Sequence, residues 1–131
     1  MKPAAEERPT VEVTREDQDD INSYALLVQR RTEQVEALAR MKNLLELHAD
    51  ASDEVSLLDD SEVVQYVVGD VFLFTRASAA ATKLEEKKST LTADVSKATA
   101  ALAQVEGEVA RLKAKLYSKF GGAIQLEGEP E

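Results

Sequence analysis

Val63-Val64-Gln65-Tyr66-Val67-Val68-Gly69-Asp70-Val71-Phe72-Leu73-Phe74-Thr75 decides how the rest of the chain is read. Two apolar runs, Val63–Val68 and Val71–Phe74, flank Gly69-Asp70. A two-residue Gly-containing link between β-branched and aromatic runs signals a tight hairpin, because Gly reaches the positive φ that such turns demand. Successive side chains in a strand point to opposite faces. Four consecutive apolar residues, Val71 to Phe74, therefore make both faces of the second strand apolar. A lone two-stranded hairpin is marginal in water, and no other stretch reads as a strand. Its cover must come from flanking helices or from another chain. The helices have a use for their own apolar stripes, so the reading favours another chain.

Downstream, Leu84, Lys88, Leu91, Val95, Ala98, Leu102, Val105, Val109, Leu112 and Leu116 recur with steps that alternate four and three. A sustained seven-residue repeat predicts a left-handed coiled coil. Ser78 or Thr82 can cap this helix. Ser78 is preferred because Ala79-Ala80-Ala81 propagates a helix well, which places the element at 78–120. Gly121-Gly122 ends it. Lys113, Lys115 and Lys119 lie near its C-terminus, where cations suit the helix dipole.

Upstream, Ile21, Tyr24, Val28, Val35, Leu38, Met41 and Leu45 form a second stripe, interrupted where Arg31 falls on the seam. Thr14 is the expected N-cap, with Glu16 and Asp17 in the first turn, and the helix is expected to span 14–48. Residues 1–13, with two prolines and no periodicity, read as an arm, and 121–131 as a tail. Residues 49–62 hold six acidic groups and no basic one, and read as an acidic connector to the hairpin at 63–75. The stripes Ile21–Leu45 and Leu84–Leu116 correspond to helices of about 37 and 48 Å at 1.5 Å per residue. The expected fold is mainly α: one domain, an antiparallel two-helix coiled coil with a β-hairpin at its closed end.

Composition narrows function. Charged residues are 31% of the chain and aromatics 5% with no Trp, which suits long amphipathic helices better than a globular core. No run approaches the roughly 18 apolar residues of a membrane span, and the first residues lack a secretory h-region. A soluble, cytoplasmic protein is expected, with no membrane association. The net charge of −9 argues against nucleic acid, since the mildly basic second helix interleaves its Lys with Glu. Without Cys the chain has no thiolate metal site, and with His48 as its one histidine neither zinc nor triad chemistry is expected. His48 reads as a helix-terminal residue. Asp50, Asp53, Asp59 and Asp60 lack the alternating oxygen ligands around a Gly that an EF-hand uses, so they read as solvated. The glycines form no phosphate-binding loop. No catalysis, metal or cofactor is expected.

Three sequence blocks resemble a known family. Val13-Thr14-Arg15-Glu16-Asp17-Gln18 precedes the first helix, and Tyr66-Val67-Val68-Gly69-Asp70-Val71-Phe72 forms the hairpin. Leu116-Tyr117-Ser118-Lys119-Phe120-Gly121 and Ile124-Gln125-Leu126-Glu127 close the chain. In this order they resemble the prefoldins, and within them the β type with one hairpin per chain. The likeness covers about Val11 to Glu127. The chain departs from it at Gln65, where Pro is usual, and at Ala79-Ala80-Ala81, where an acidic turn is usual. The resemblance implies a heterohexamer of two α-type and four β-type subunits joined through their hairpins. It implies capture of unfolded polypeptides, notably actin and tubulin, and delivery to the cytosolic chaperonin without ATP.

Two residue groups carry these expectations. Val64, Tyr66, Val68, Val71, Phe72, Leu73 and Phe74 are the expected assembly hairpin. Val11, Val13, Phe120, Ile124 and Leu126 are the expected client-binding tip, at or beyond the helix ends where intramolecular cover is thin. A structural coiled-coil scaffold without clients is the alternative. It would carry polar or tightly packed tips.

Overall fold

The computed structural model describes residues 12–121, with the side chain of Val68 excepted. Its elements in chain order are α1 (Arg15–Ser56), β1 (Val63–Val68), β2 (Val71–Arg76) and α2 (Ala77–Phe120). They fall into two compact units. Among the described residues, 12–33 with 102–121 form one, and 34–101 form the other.

In the first unit the start of α1 lies against the end of α2. Thr14 caps α1 through a reciprocal box. Its Oγ1 accepts from the Asp17 backbone N–H at 3.1 Å, and the Asp17 carboxylate accepts from the Thr14 N–H at 3.0 Å. The apolar stripes then meet in a core of Tyr24, Leu27 and Val28 against Val105, Val109, Leu112, Leu116 and Phe120, with Ile21 and Tyr117 packed on it. Leu116 is 1% exposed. Gly121 follows at φ +57, the left-handed residue that commonly ends a helix.

In the second unit, α1 runs eight residues beyond the expected end at His48, through Ala49 to Ser56. Acidic composition had marked this stretch as connector. Tertiary contact decides otherwise: buried Ser52 donates to Glu85 Oε1 of α2 at 2.8 Å, with Ala49, Ala51 and Val55 also turned inward. Glu85 is thus engaged by α1. Tight bonds from Leu57 N–H to Glu54 O and from Leu58 N–H to Val55 O finish the helix.

Val35 leaves the expected stripe and is 48% exposed. The seam steps three from Arg31 to Gln34 and four to Leu38, which leaves Val35 about 100° further round the helix. Leu38 is buried, and Gln34 carries the buried Oε1 for which no hydrogen-bond partner is found.

The α2 cap also differs. β2 passes directly into α2 at Ala77, so Ser78 lies inside the helix. The connector supplies the acceptors: Glu62 O takes the Ala77 N–H at 2.7 Å and Asp60 O the Ser78 N–H at 3.2 Å. Thr82 Oγ1 bonds back to Ser78 O, so it does not begin a capping box. Ala77, Ala80, Leu84 and Leu91 are the buried residues of this part of α2.

Candidate interaction surfaces

β1 and β2 pair antiparallel in register Val64↔Thr75, Tyr66↔Leu73 and Val68↔Val71, with Val63↔Arg76, Gln65↔Phe74 and Val67↔Phe72 between. The loop is therefore Gly69-Asp70 alone. Gly69 sits at φ +58, and among the described residues only glycines have positive φ, so Asp70 does not, the pattern of a type II′ turn.

Residues opposite one another share a face, so this register sorts the hairpin into two sides. Val64, Tyr66, Val71, Leu73 and Thr75 make one. Val64 and Tyr66 are half-buried there and line a cavity with Ala51 and Val55 of α1 and Ala80 and Leu84 of α2. The hairpin's own helices cover the base of this side, a share the sequence reading had assigned to another chain. Exposure grows toward the turn, with Leu73 at 47% and Val71 at 56%.

The other side holds Val63, Gln65, Val67, Phe72, Phe74 and Arg76, and all are exposed. Phe74 is 76% exposed and Val63 67%. Four large apolar side chains facing water from one small sheet mark an interaction surface. Val63 and Val67 were missed as members. Strict alternation from Phe72 and Phe74 across the two-residue turn was the signal that could have found them.

The expected tip residues separate. Phe120 is 6% exposed, packed in the first unit's core with the Lys119 ammonium 5.7 Å from its ring centroid. It closes the helix pair and is withdrawn from the exposed set. Val13 is 52% exposed. Val11, Ile124 and Leu126 lie outside the described residues.

Lys115 and Lys119 do more than answer the dipole of their own helix. Lys119 donates to the Asp17 carboxylate, and Lys115 bridges to Asp20 at 2.8 Å and to Glu16 at 3.8 Å. The bond from Lys119, then the Thr14 cap, holds the Asp17 carboxyl below its ordinary range, and the Asp20 bond raises the Lys115 ammonium. Asp17 thus closes the N-terminus of α1 and ties it to the last turn of α2. His48 Nδ1 lies 2.9 Å from Leu44 O of its own helix. Among the described residues, no cluster of three or more His, Cys, Asp or Glu side chains is placed to hold a metal, and no helix is long and apolar enough to cross a membrane.

Residues 18–123 match the family model described as prefoldin subunit. The chain belongs to the prefoldin family. It is similar to prefoldin subunit 4 of Homo sapiens, 36% identical over 130 residues, covering 98% of this chain and 96% of that protein. It is similar to prefoldin subunit 4 of Saccharomyces cerevisiae, 34% identical over 121 residues, covering 92% of this chain and 94% of that protein. The fold matches the crystal structure of the prefoldin beta subunit from Thermococcus strain KS-1. That match has a TM-score of 0.73 at 21% identity, covering 83% of this chain and 96% of the other. Two long helices and an antiparallel two-stranded hairpin are thus the prefoldin β-subunit fold. The chain is a non-catalytic prefoldin chaperone subunit, and membership implies assembly with other prefoldin subunits.

Proposed function

We infer that this chain is a β-type subunit of a cytoplasmic heterohexamer of two α-type and four β-type prefoldin subunits. The complex captures unfolded polypeptides such as actin and tubulin and passes them to the cytosolic chaperonin. The observation that carries the assembly reading is the uncovered hairpin side, with Val63, Val67, Phe72 and Phe74 exposed together. A partner hairpin laid on it would remove apolar area worth roughly 25 cal/mol per Å². Val71 and Leu73 extend the contact near the turn, while Val64 and Tyr66 anchor the hairpin to its own helices.

Client capture is assigned to exposed Val13 and to the apolar residues Val11, Ile124 and Leu126, which lie outside the described residues. Each contact is small, so grip arises from several subunits acting together. The acidic arm and tail keep these residues soluble.

Phe72→Asp places a carboxylate in the proposed contact, where burial without a partner is costly. The variant is expected to keep its helical circular dichroism and to drop out of the complex when partner subunits are co-purified. Normal co-purification would place assembly elsewhere. Removal of residues 1–13 and 122–131 is expected to leave the complex intact and to weaken its suppression of aggregation of denatured actin, read by light scattering. Undiminished protection would move the client surface onto the helix faces.

A further inference from the structure

Where the hairpin lies on its helices, the second unit holds a cavity of about 340 Å³. Ala51 and Val55 of α1, Ala80 and Leu84 of α2, and Val64 and Tyr66 of β1 give it apolar walls. The space follows from the residues: each helix sets an alanine, Ala51 and Ala80, where the larger Val55 and Leu84 stand one turn further on. A protein interior is close-packed, and a void forfeits the contacts its lining would make. His48 also lines the cavity, its Nδ1 2.9 Å from Leu44 O.

The cavity lies along the free edge of β1. Gln65 and Val67 line it together with Val64 and Tyr66, although they belong to the exposed side of the hairpin, where Val67 is 54% exposed. A wall that includes both faces of one strand follows that strand's edge, and β2 occupies the other edge. A two-residue turn makes its flanking pair, Val68↔Val71, a hydrogen-bonded one, and bonded and non-bonded pairs alternate from there. The main-chain N–H and C=O groups of Val63, Gln65 and Val67 therefore point away from β2, along the free edge. Among the described residues no hydrogen bond from another segment reaches them. Unpaired edge groups beside an apolar cavity fit one kind of occupant: an extended segment that bonds the edge and sends a side chain into the cavity.

We propose that this cavity is a socket for a large apolar side chain carried on a strand of a neighbouring prefoldin subunit. The socket presupposes that the hairpin is the assembly element, and it adds a second contact on the side that faces the helices. Val67 belongs both to the exposed face and to the cavity wall, so a partner laid on that face comes over the opening. The exposed face supplies apolar area, whereas the socket supplies choice of partner. A small side chain leaves the void unfilled, and an acidic one meets Val55, Leu84 and the Glu54 carboxylate that also lines the cavity.

Filling the cavity from within tests this. Ala51 is half-buried in its wall, so Ala51→Phe places a ring in the space the partner side chain would use. The full-length variant is expected to keep its helical circular dichroism, and its recovery with co-expressed partner subunits is expected to fall several-fold. Ala51→Ser adds little volume and is expected to assemble as wild type does. Normal recovery of Ala51→Phe would overturn the proposal. A damaged helix would also lower recovery, so a thiol probe decides independently. The chain has no cysteine, and Ala51→Cys and Leu47→Cys each introduce a single thiol. Leu47 lies one turn earlier on α1, outside the cavity lining, and is 56% exposed. Reaction with methyl methanethiosulfonate is followed by mass spectrometry. Ala51→Cys is expected to react in the isolated chain and to slow several-fold in the complex, while Leu47→Cys reacts alike in both. Equal rates for Ala51→Cys in the two states would overturn the proposal. So would protection already present in the isolated chain, which means the chain's own side chains or a small ligand fill the space, or equal slowing of Leu47→Cys. Loss of Phe72→Asp from the complex while Ala51→Phe enters it removes the socket alone. Retention of Phe72→Asp while Ala51→Phe is lost removes the exposed face alone.

Discussion

The two units spend similar apolar residues in opposite ways. In the first, Tyr24, Leu27, Val28, Val105, Val109, Leu112, Leu116 and Phe120 close on one another, and Lys115 and Lys119 tie the outer turns to Asp20 and Asp17. In the second, the hairpin hides Val64 and Tyr66 partly against its helices and leaves Val63, Val67, Phe72 and Phe74 in water. A helix has one apolar stripe, and a single antiparallel neighbour satisfies it. A strand whose two faces are both apolar needs cover twice, and the helices beside it supply one layer. The comparison teaches that the unsatisfied surface arises from strand geometry rather than from greater hydrophobicity.

The sharpest way to break this contrast is a matched pair of truncations. Leu116→Ala removes side-chain volume from a site that is 1% exposed and is expected to cost about 2–5 kcal/mol in urea unfolding of the isolated chain. Phe74→Ala removes a larger side chain from a site that is 76% exposed, and its cost in the same titration is expected to stay within about 0.5 kcal/mol. Its deficit should appear instead as reduced recovery with partner subunits. Similar losses of stability from both would show that Phe74 is covered within its own chain.

A smaller effect tests the turn that aligns the two hairpin faces. At Gly69 an added Cβ would meet nothing within 4 Å, so Gly69→Ala carries only the backbone cost of a left-handed conformation, about 1–2 kcal/mol. Faster amide exchange is expected through β1 and β2, with the exchange of residues 105–116 unchanged. Unchanged exchange in the strands would show that the turn does not hold their register.

The smallest effect belongs to the clasp in the first unit. Asp17 is held below the ordinary carboxylate value of 3.8 by Lys119 and the Thr14 cap. A lowered folded-state value stabilises the fold fully above the unfolded value, and the contribution is lost as pH falls from about there through the folded value. Thermal melts of wild type and Asp17→Asn should therefore differ near neutral pH and converge in acid below 3.8. A difference that persists in acid would assign the effect of Asp17 to shape rather than charge.

Much of this was legible in the residues. Gly69-Asp70 between two apolar runs gave the hairpin and its turn, and the seven-residue repeat from Leu84 to Leu116 gave the α2 seam. Thr14 and Asp17 gave the first cap. The end of α1 was not legible, because Ala49 to Ser56 is acid-rich and its helix depends on Ser52 reaching Glu85 on another element. Nor was the α2 cap, which comes from the main-chain oxygens of Asp60 and Glu62, groups that every residue possesses.

Local periodicity and turn chemistry are written in the order of side chains, so the sequence alone determined two long helices and a hairpin between them. Which apolar residues remain uncovered depends on register and on neighbours distant in the chain. Only the tertiary structure turned Phe120 inward and Val35 outward, set Tyr66 against the helices and left Phe72 and Phe74 facing water. A pattern of hydrophobicity states which side chains seek cover, and packing decides which of them find it.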